Sequence, residues 1–81
     1  MEVLRMYLVN ARQDKGYSMR KTARLAGMTY QHYSLVENGE RGSRVSFMIM
    51  TRIAEALEMS LDTMKENEKA YQKQLENDTY Y

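Results

Sequence analysis

Gly16, Gly27 and Gly39 cut the first half of the chain into stretches too short to persist as isolated helices, so anything formed between them must be held by packing against its neighbours. Hydrophobic period assigns those stretches to helix. Leu4, Leu8 and Ala11, flanked by Val3 and Tyr7, recur at three- and four-residue spacing and predict a first helix over about 2–14, ended by Gly16. Ser18 then caps a second helix of about eight residues, with Thr22, Ala23 and Ala26 inward, before Gly27 interrupts it. Thr29 caps a third, equally short, with Met28, Tyr33 and Val36 inward and Asn38-Gly39 at its end. The stretch Asn38 to Val45, with Arg41, Ser43 and Arg44, reads as an exposed basic loop. Ser46 caps a fourth helix whose Phe47, Met50, Ile53, Ala54 and Leu57 form a broad apolar face, and Ser60 caps a fifth that begins with Leu61 and Asp62. No alternating strand pattern competes, so the expected fold class is all-α, with five helices.

Length and composition narrow the function. A chain of 81 residues is one small domain that buries only roughly 60 to 65% of its unfolded surface, which makes self-association a live expectation. With no cysteine there is no disulfide framework, thiolate metal site or cysteine nucleophile, and an intracellular, cytoplasmic setting is expected. His32 is the only histidine and has no carboxylate cluster beside it, so neither a metal nor a cofactor is implied. No serine has a plausible base and orienting acid, no glycine-rich phosphate loop occurs, and enzymatic activity is not supported. Apolar runs are too short to span a bilayer, and Glu2, Arg5, Arg12 and Asp14 interrupt any secretory h-region, so no membrane association is expected. The net charge of +1 hides an asymmetry: the chain carries +4 up to Val45 and −3 from Ser46 onward.

Two short helices joined by a glycine turn are the parts of a helix-turn-helix, in which the second helix enters the major groove and the first braces it. Close crossing needs a small residue midway along the first helix, which Ala23 provides, and the turn four residues later needs Gly27. That pair alone fits a plain helix hairpin equally well. The wider pattern Arg12…Lys15-Gly16-Tyr17-Ser18…Ala23…Gly27-Met28-Thr29…Tyr33…Val36-Glu37-Asn38-Gly39…Arg41…Ile53-Ala54-Glu55-Ala56-Leu57 resembles the Cro/C1-type, phage-repressor-like helix-turn-helix family over about residues 4–60. Its most specific parts are Glu37-Asn38-Gly39 at a fixed distance after the turn glycine and the Ile-Ala-x-Ala-Leu of the fourth helix. Against the family pattern, Met19 replaces a glutamine that braces a DNA phosphate, Thr22 replaces a leucine, Val45 replaces a proline, and the loop is about two residues longer.

The resemblance implies a compact five-helix, lambda-repressor-like DNA-binding domain over 1–62, its helix-turn-helix at about 18–38, with a polar C-terminal helical extension over 63–81 that frays after Glu76. It implies a sequence-specific double-stranded-DNA-binding regulator, a repressor, reading the major groove with helix 3. Tyr30, Gln31, His32 and Leu35 take the groove-facing positions, with Gln31 suited to bond adenine N7 and N6 together. Tyr30 and His32 have phosphate or a base edge within their chemistry, Leu35 only a thymine methyl, and for all four a solvated helix face is the plain alternative. An Arg12–Glu37 ion pair bridging helix 1 to the end of helix 3 is also implied, structural in the simplest reading, and able to leave arginine N–H groups for a phosphate. Asn38 is implied as a backbone contact, though a C-cap role also accounts for it. Arg20, Lys21 and Arg24 on helix 2 and Arg41 and Arg44 in the loop flank the reading helix, where neutralised phosphates release counterions.

In the tail, Leu57, Leu61, Met64, Tyr71 and Leu75 follow a 4-3-7-4 spacing broken by Glu68. That is too few heptads for a coiled coil, and it leaves open packing onto the domain's own core or a homodimer seam. The rival function is a protein-binding module on the same scaffold, modulating another regulator through acidic residues of the fifth helix such as Glu66 and Glu68. RNA binding is a weaker third, for want of an aromatic stacking platform.

Overall fold

The computed structural model describes residues 3–39 and 45–79, with side chains to Glu76, and among these the chain forms α1 (Met6–Asp14), α2 (Met19–Leu25), α3 (Tyr30–Asn38), α4 (Phe47–Ala56) and α5 (Leu61–Thr79) with no strand. Hydroxyl caps start four of the five. Ser18, Thr29, Ser46 and Ser60 accept from the backbone N–H three residues on, at 3.0, 3.1, 3.2 and 3.1 Å, satisfying donors that a helix start leaves unpaired. α1 has no such cap and begins at Met6 rather than near residue 2. The reason is tertiary: the Arg5 N–H is bonded to the Glu37 carbonyl at 2.8 Å, and the Val3 carbonyl accepts from the Tyr71 hydroxyl at 2.7 Å, so residues 3–5 are laid out across the end of α3 and along α5.

The α2–α3 turn is closed by Met28 N–H to the Ala23 carbonyl and Gly27 N–H to the Arg24 carbonyl, the paired bonds of a Schellman end, with Gly27 at φ 72°. The same pattern ends α4, where Met59 N–H reaches the Ala54 carbonyl at 2.8 Å, but there the left-handed residue is Glu58, at φ 54°. No glycine marks that end in the sequence.

α2 packs on α3 and α4, α4 on α5, and α1 on α3. Their shared core is Leu8, Ala23, Ala26, Tyr33, Val36, Ile53, Ala54, Leu57 and Met64. Thr22, which is fully buried, returns its hydroxyl to the Ser18 carbonyl at 2.9 Å, so a polar residue fills the position without an unmet donor. Two expected core positions are corrected. Leu4 is 45% exposed because it precedes α1, and the inward position goes to Arg5. Phe47 is 66% exposed: it stands in the first turn of α4, while the face that meets the core is carried by Ile53, Ala54 and Leu57 further along. Leu61 is exposed as well, but Met64 and Tyr71 are buried, so the stripe on α5 is used within the chain at those two positions.

Arg5 is 1% exposed and fully committed. Its Nε and Nη2 donate to both oxygens of Glu68 at 3.0 and 2.9 Å, its Nη1 donates to the Val36 carbonyl at 2.7 Å, and its guanidinium lies 4.4 Å from the centre of the Tyr71 ring. Tyr7 and Gln72 donate to the same carboxylate at 2.6 and 2.8 Å. Burial alone pushes the Glu68 carboxyl up, but the hydrogen bonds from Arg5, Tyr7 and Gln72 and the Arg5 charge outweigh it and hold the group below its ordinary value. Glu68 is therefore turned into the fold and is withdrawn from the acidic surface of α5, whereas Glu66 is exposed. Among the described residues no helix is long and apolar enough to cross a membrane.

Three stability measurements follow from these geometries. A β-carbon at Gly27 meets nothing within 4 Å, whereas at Gly39, also left-handed, it runs into the Val3 carbonyl and the Tyr71 hydroxyl. Gly27→Ala is expected to cost about 1 kcal/mol of backbone strain, and Gly39→Ala about 1 to 3 kcal/mol more from overpacking; equal losses in chemical denaturation would contradict the close approach. Glu58→Gly relieves the strained end of α4 and gives up only an exposed pair with Lys15 at 3.3 Å. It is expected to raise stability by up to about 1 kcal/mol, read as a higher Tm, and an unchanged or lower Tm would contradict it. For Glu68, whose folded pKa lies below the unfolded one, stability is fully present above the ordinary carboxylate range and is lost as pH falls through the folded value. Glu68→Gln should thus destabilise by about 3 kcal/mol near neutrality, and the gap to wild type should narrow below roughly pH 4; a gap constant with pH would remove the ion pair as its cause.

Candidate nucleic-acid interface

α3 is the element that the rest of the fold presents. At 3.6 residues per turn its positions advance by about 100° each, and with Tyr33, Val36 and Glu37 buried, Gln31, Leu35 and Asn38 fall on the opposite face. Tyr30 and His32 fall on its two flanks. Gln31 and His32 are exposed, while Tyr30 and Leu35 are half-buried. The Asn38 amide donates to Ser34 Oγ at 3.2 Å, one turn back along the helix, which steadies it at the surface next to the Gly39 end.

The C-terminal half of α3 is clamped to α1. Arg12 Nε and Nη2 donate to the two oxygens of Glu37 at 2.7 and 2.9 Å, a bidentate pair between a side chain 15% exposed and one 3% exposed. Arg12 Nη1 also donates to the Tyr17 carbonyl at 3.3 Å, tying the loop after α1 to the same group. Burial and then the neighbouring Glu37 carboxylate push the Tyr33 phenol well up, so it stays a neutral core ring beneath the pair. Most of Arg12 is thus spent on holding α3, and only its outer edge reaches the surface.

On α2 the small Ala23, 1% exposed, lets the two helices approach, and Gly27 turns the chain between them. Arg20, Lys21 and Arg24 are exposed, and among the described residues no carboxylate pairs with any of them. Arg20 instead lies over the Tyr30 ring, with Cζ 4.5 Å from its centre, and Lys21 over the Tyr17 ring at 4.5 Å. Arg24 opens onto a hollow of about 470 Å³ beside the turn, shared with Gly27 and Thr29. Met19, at the position of the family's phosphate-bracing glutamine, is half-buried and packs against the core. Arg41 and Arg44 lie outside the described residues. Among the described residues no group of three or more histidine, cysteine or carboxylate side chains is placed to hold a metal.

The structure therefore brings Tyr30, Gln31, His32, Leu35 and Asn38 onto one exposed helix and sets Arg20 and Arg24 beside its start. Arg5 and Glu68, which with Tyr71 of the α5 stripe fasten the other end of α3 to α5, are the residues that periodicity missed. One signal for them was available: a lone carboxylate four residues after Met64 and three before Tyr71, on an otherwise apolar stripe, demands a buried cation.

Comparison with curated proteins finds no match. The sequence profile of a family described as helix-turn-helix matches residues 8–64, from the core Leu8 of α1 to the core Met64 of α5. The match spans both helices of the motif, the Gly27 turn and the Arg12–Glu37 clamp, and on it the chain belongs to the Cro/C1-type helix-turn-helix family of DNA-binding regulators.

Proposed function

We propose that this protein is a sequence-specific transcriptional repressor that lays α3 in the major groove of double-stranded DNA and reads bases chiefly with Gln31. The observation that carries this reading is the division of labour on α3: one face is buried or clamped through Tyr33, Val36 and Glu37, and the opposite face presents Gln31 to solvent. An exposed primary amide on the first turn of a helix has the donor and acceptor needed to bond adenine N6 and N7 together, a pairing no phosphate requires. Leu35, one turn on, supplies an apolar surface for a thymine methyl. Leu35 and Asn38 share the outward face with Gln31, and His32 stands on its flank. Arg20 and Arg24, with Arg41 and Arg44 from the segment between α3 and α4 that lies outside the described residues, supply the sequence-independent part by neutralising phosphates. Arg12 adds at most its outer edge, since Glu37 takes the inner one. Repression is the simplest output of such a domain, because occupying a site is enough to exclude another protein from it.

The test begins with a duplex selected by the wild-type chain from a randomised pool. Gln31→Ala is expected to lower affinity for that duplex by about 1 to 3 kcal/mol and to leave affinity for mixed-sequence DNA nearly unchanged. Arg24→Ala, measured beside it, should weaken both alike and reduce the log–log salt slope by about one unit. Equal losses on both duplexes for Gln31→Ala would reject base reading, and a wild-type affinity that does not respond to salt would move the reading to a protein partner.

A further inference from the structure

We propose that Tyr30 is a positioning residue, a ring platform that holds Arg20 with its N–H edge turned toward the DNA backbone. The inference rests on the DNA-binding reading and assigns Tyr30 a task other than reading bases. It starts from a contrast among the arginines whose surroundings the structure describes. Arg5 and Arg12 are held by carboxylates, Glu68 and Glu37, which consume their forks from the edge. Arg20 is held by a ring, from its face. A guanidinium carries all its donors around its rim, so a partner against its flat side fixes its orientation and leaves the rim unspent.

Position favours the same conclusion. By the helical period Tyr30 stands about 60° from the buried direction of α3, on the flank toward α2, rather than on the outward face with Gln31 and Leu35. Half-buried there, it is anchored well enough to serve as a support, while Arg20 remains exposed. The two residues lie on opposite sides of the Gly27 turn and border the same hollow as Arg24 and Thr29. The stack therefore joins the first turn of α2 to the first turn of α3, so the phosphate contact and the base-reading end of α3 are set at a fixed separation. Unheld, the long arginine chain loses rotamer freedom on meeting a phosphate; held against the ring, it has lost much of that freedom in the free protein. The adjacent Lys21 over Tyr17 repeats the device with a point charge.

Affinity for a mixed-sequence duplex, measured over a salt series, tests this with Tyr30→Leu, Tyr30→Phe, Arg20→Ala and the double variant Tyr30→Leu/Arg20→Ala. Tyr30→Leu should weaken binding about two- to fivefold, the scale of an exposed cation–ring contact. Tyr30→Phe, which keeps the ring, should restore most of that loss. Once Arg20 is alanine, adding Tyr30→Leu should change little further. Thermal unfolding of each variant separates loss of contact from loss of fold. Multiplying losses in the double variant, or a Tyr30→Phe defect as large as that of Tyr30→Leu and confined to the selected duplex, would overturn the platform while leaving the DNA-binding reading intact. A wild-type chain without salt-dependent DNA affinity would overturn both.

Discussion

A single buried guanidinium sets the geometry on which the other contacts depend. Arg5, in the extended residues ahead of α1, sits with almost no exposure between the end of α3 and the middle of α5, and it satisfies partners on both helices. A charge in that place is costly unless every donor is met, so the surroundings have little freedom to rearrange without breaking something expensive. Buried pairs of this kind contribute less to net stability than an apolar replacement of the same shape often does. Their contribution here is uniqueness: only one register of α5 against α3 puts Glu68 under Arg5, Tyr71 against its face and the Tyr71 hydroxyl on the Val3 carbonyl. A small core of nine residues, three of them alanines, gains from such a constraint.

Local signals in this chain were legible and long-range ones mostly were not. Ser18, Thr29, Ser46 and Ser60 bond to N–H groups three residues away, so their effect is written in adjacent letters, and each helix they start was readable. Arg5 and Glu68 are 63 positions apart, and although the apolar stripe around Glu68 asks for a buried cation, nothing near it says which one. Phe47 shows the limit of period as a guide: it says which residues share a face, but not how far along the helix the neighbouring element extends. Glu58 shows another limit, since a left-handed position filled by an ordinary residue leaves no mark. At the interface, the outward placement of Gln31 and Leu35 follows from helical period once the buried face is known. The Arg20–Tyr30 stack does not, because it depends on the angle at which α2 crosses α3.

The arginines of the first three helices and the segment ahead of them fall into two groups by what holds them. Those held by carboxylates lie toward the interior and fix one helix to another; those on α2 have no anionic partner among the described residues and keep their charge for the outside. An almost neutral chain can in this way present a positive surface on α2, because two of its carboxylates, Glu37 and Glu68, are folded inward and most of the others fall after Ser46 in the sequence. Net charge alone misjudges such a protein; its distribution decides the long-range attraction.

The fastening of α3 is lopsided. Its last turn is gripped by Arg12 through Glu37, by Arg5 through the Val36 and Glu37 carbonyls, and by the seat of Gly39 against α5, while its first turn is held by the Thr29 hydroxyl and the turn before it. Mechanically this is a cantilever, clamped at one end by ion pair and carbonyl contacts and steadied at the other by a cap, a turn and the Arg20–Tyr30 stack. The lightly held end carries Gln31 and His32, to which the proposed function gives the contact with DNA. On that reading, exchange of residues there alters what is contacted without loosening the clamp, so preference for one sequence over another can drift while the scaffold keeps its melting point.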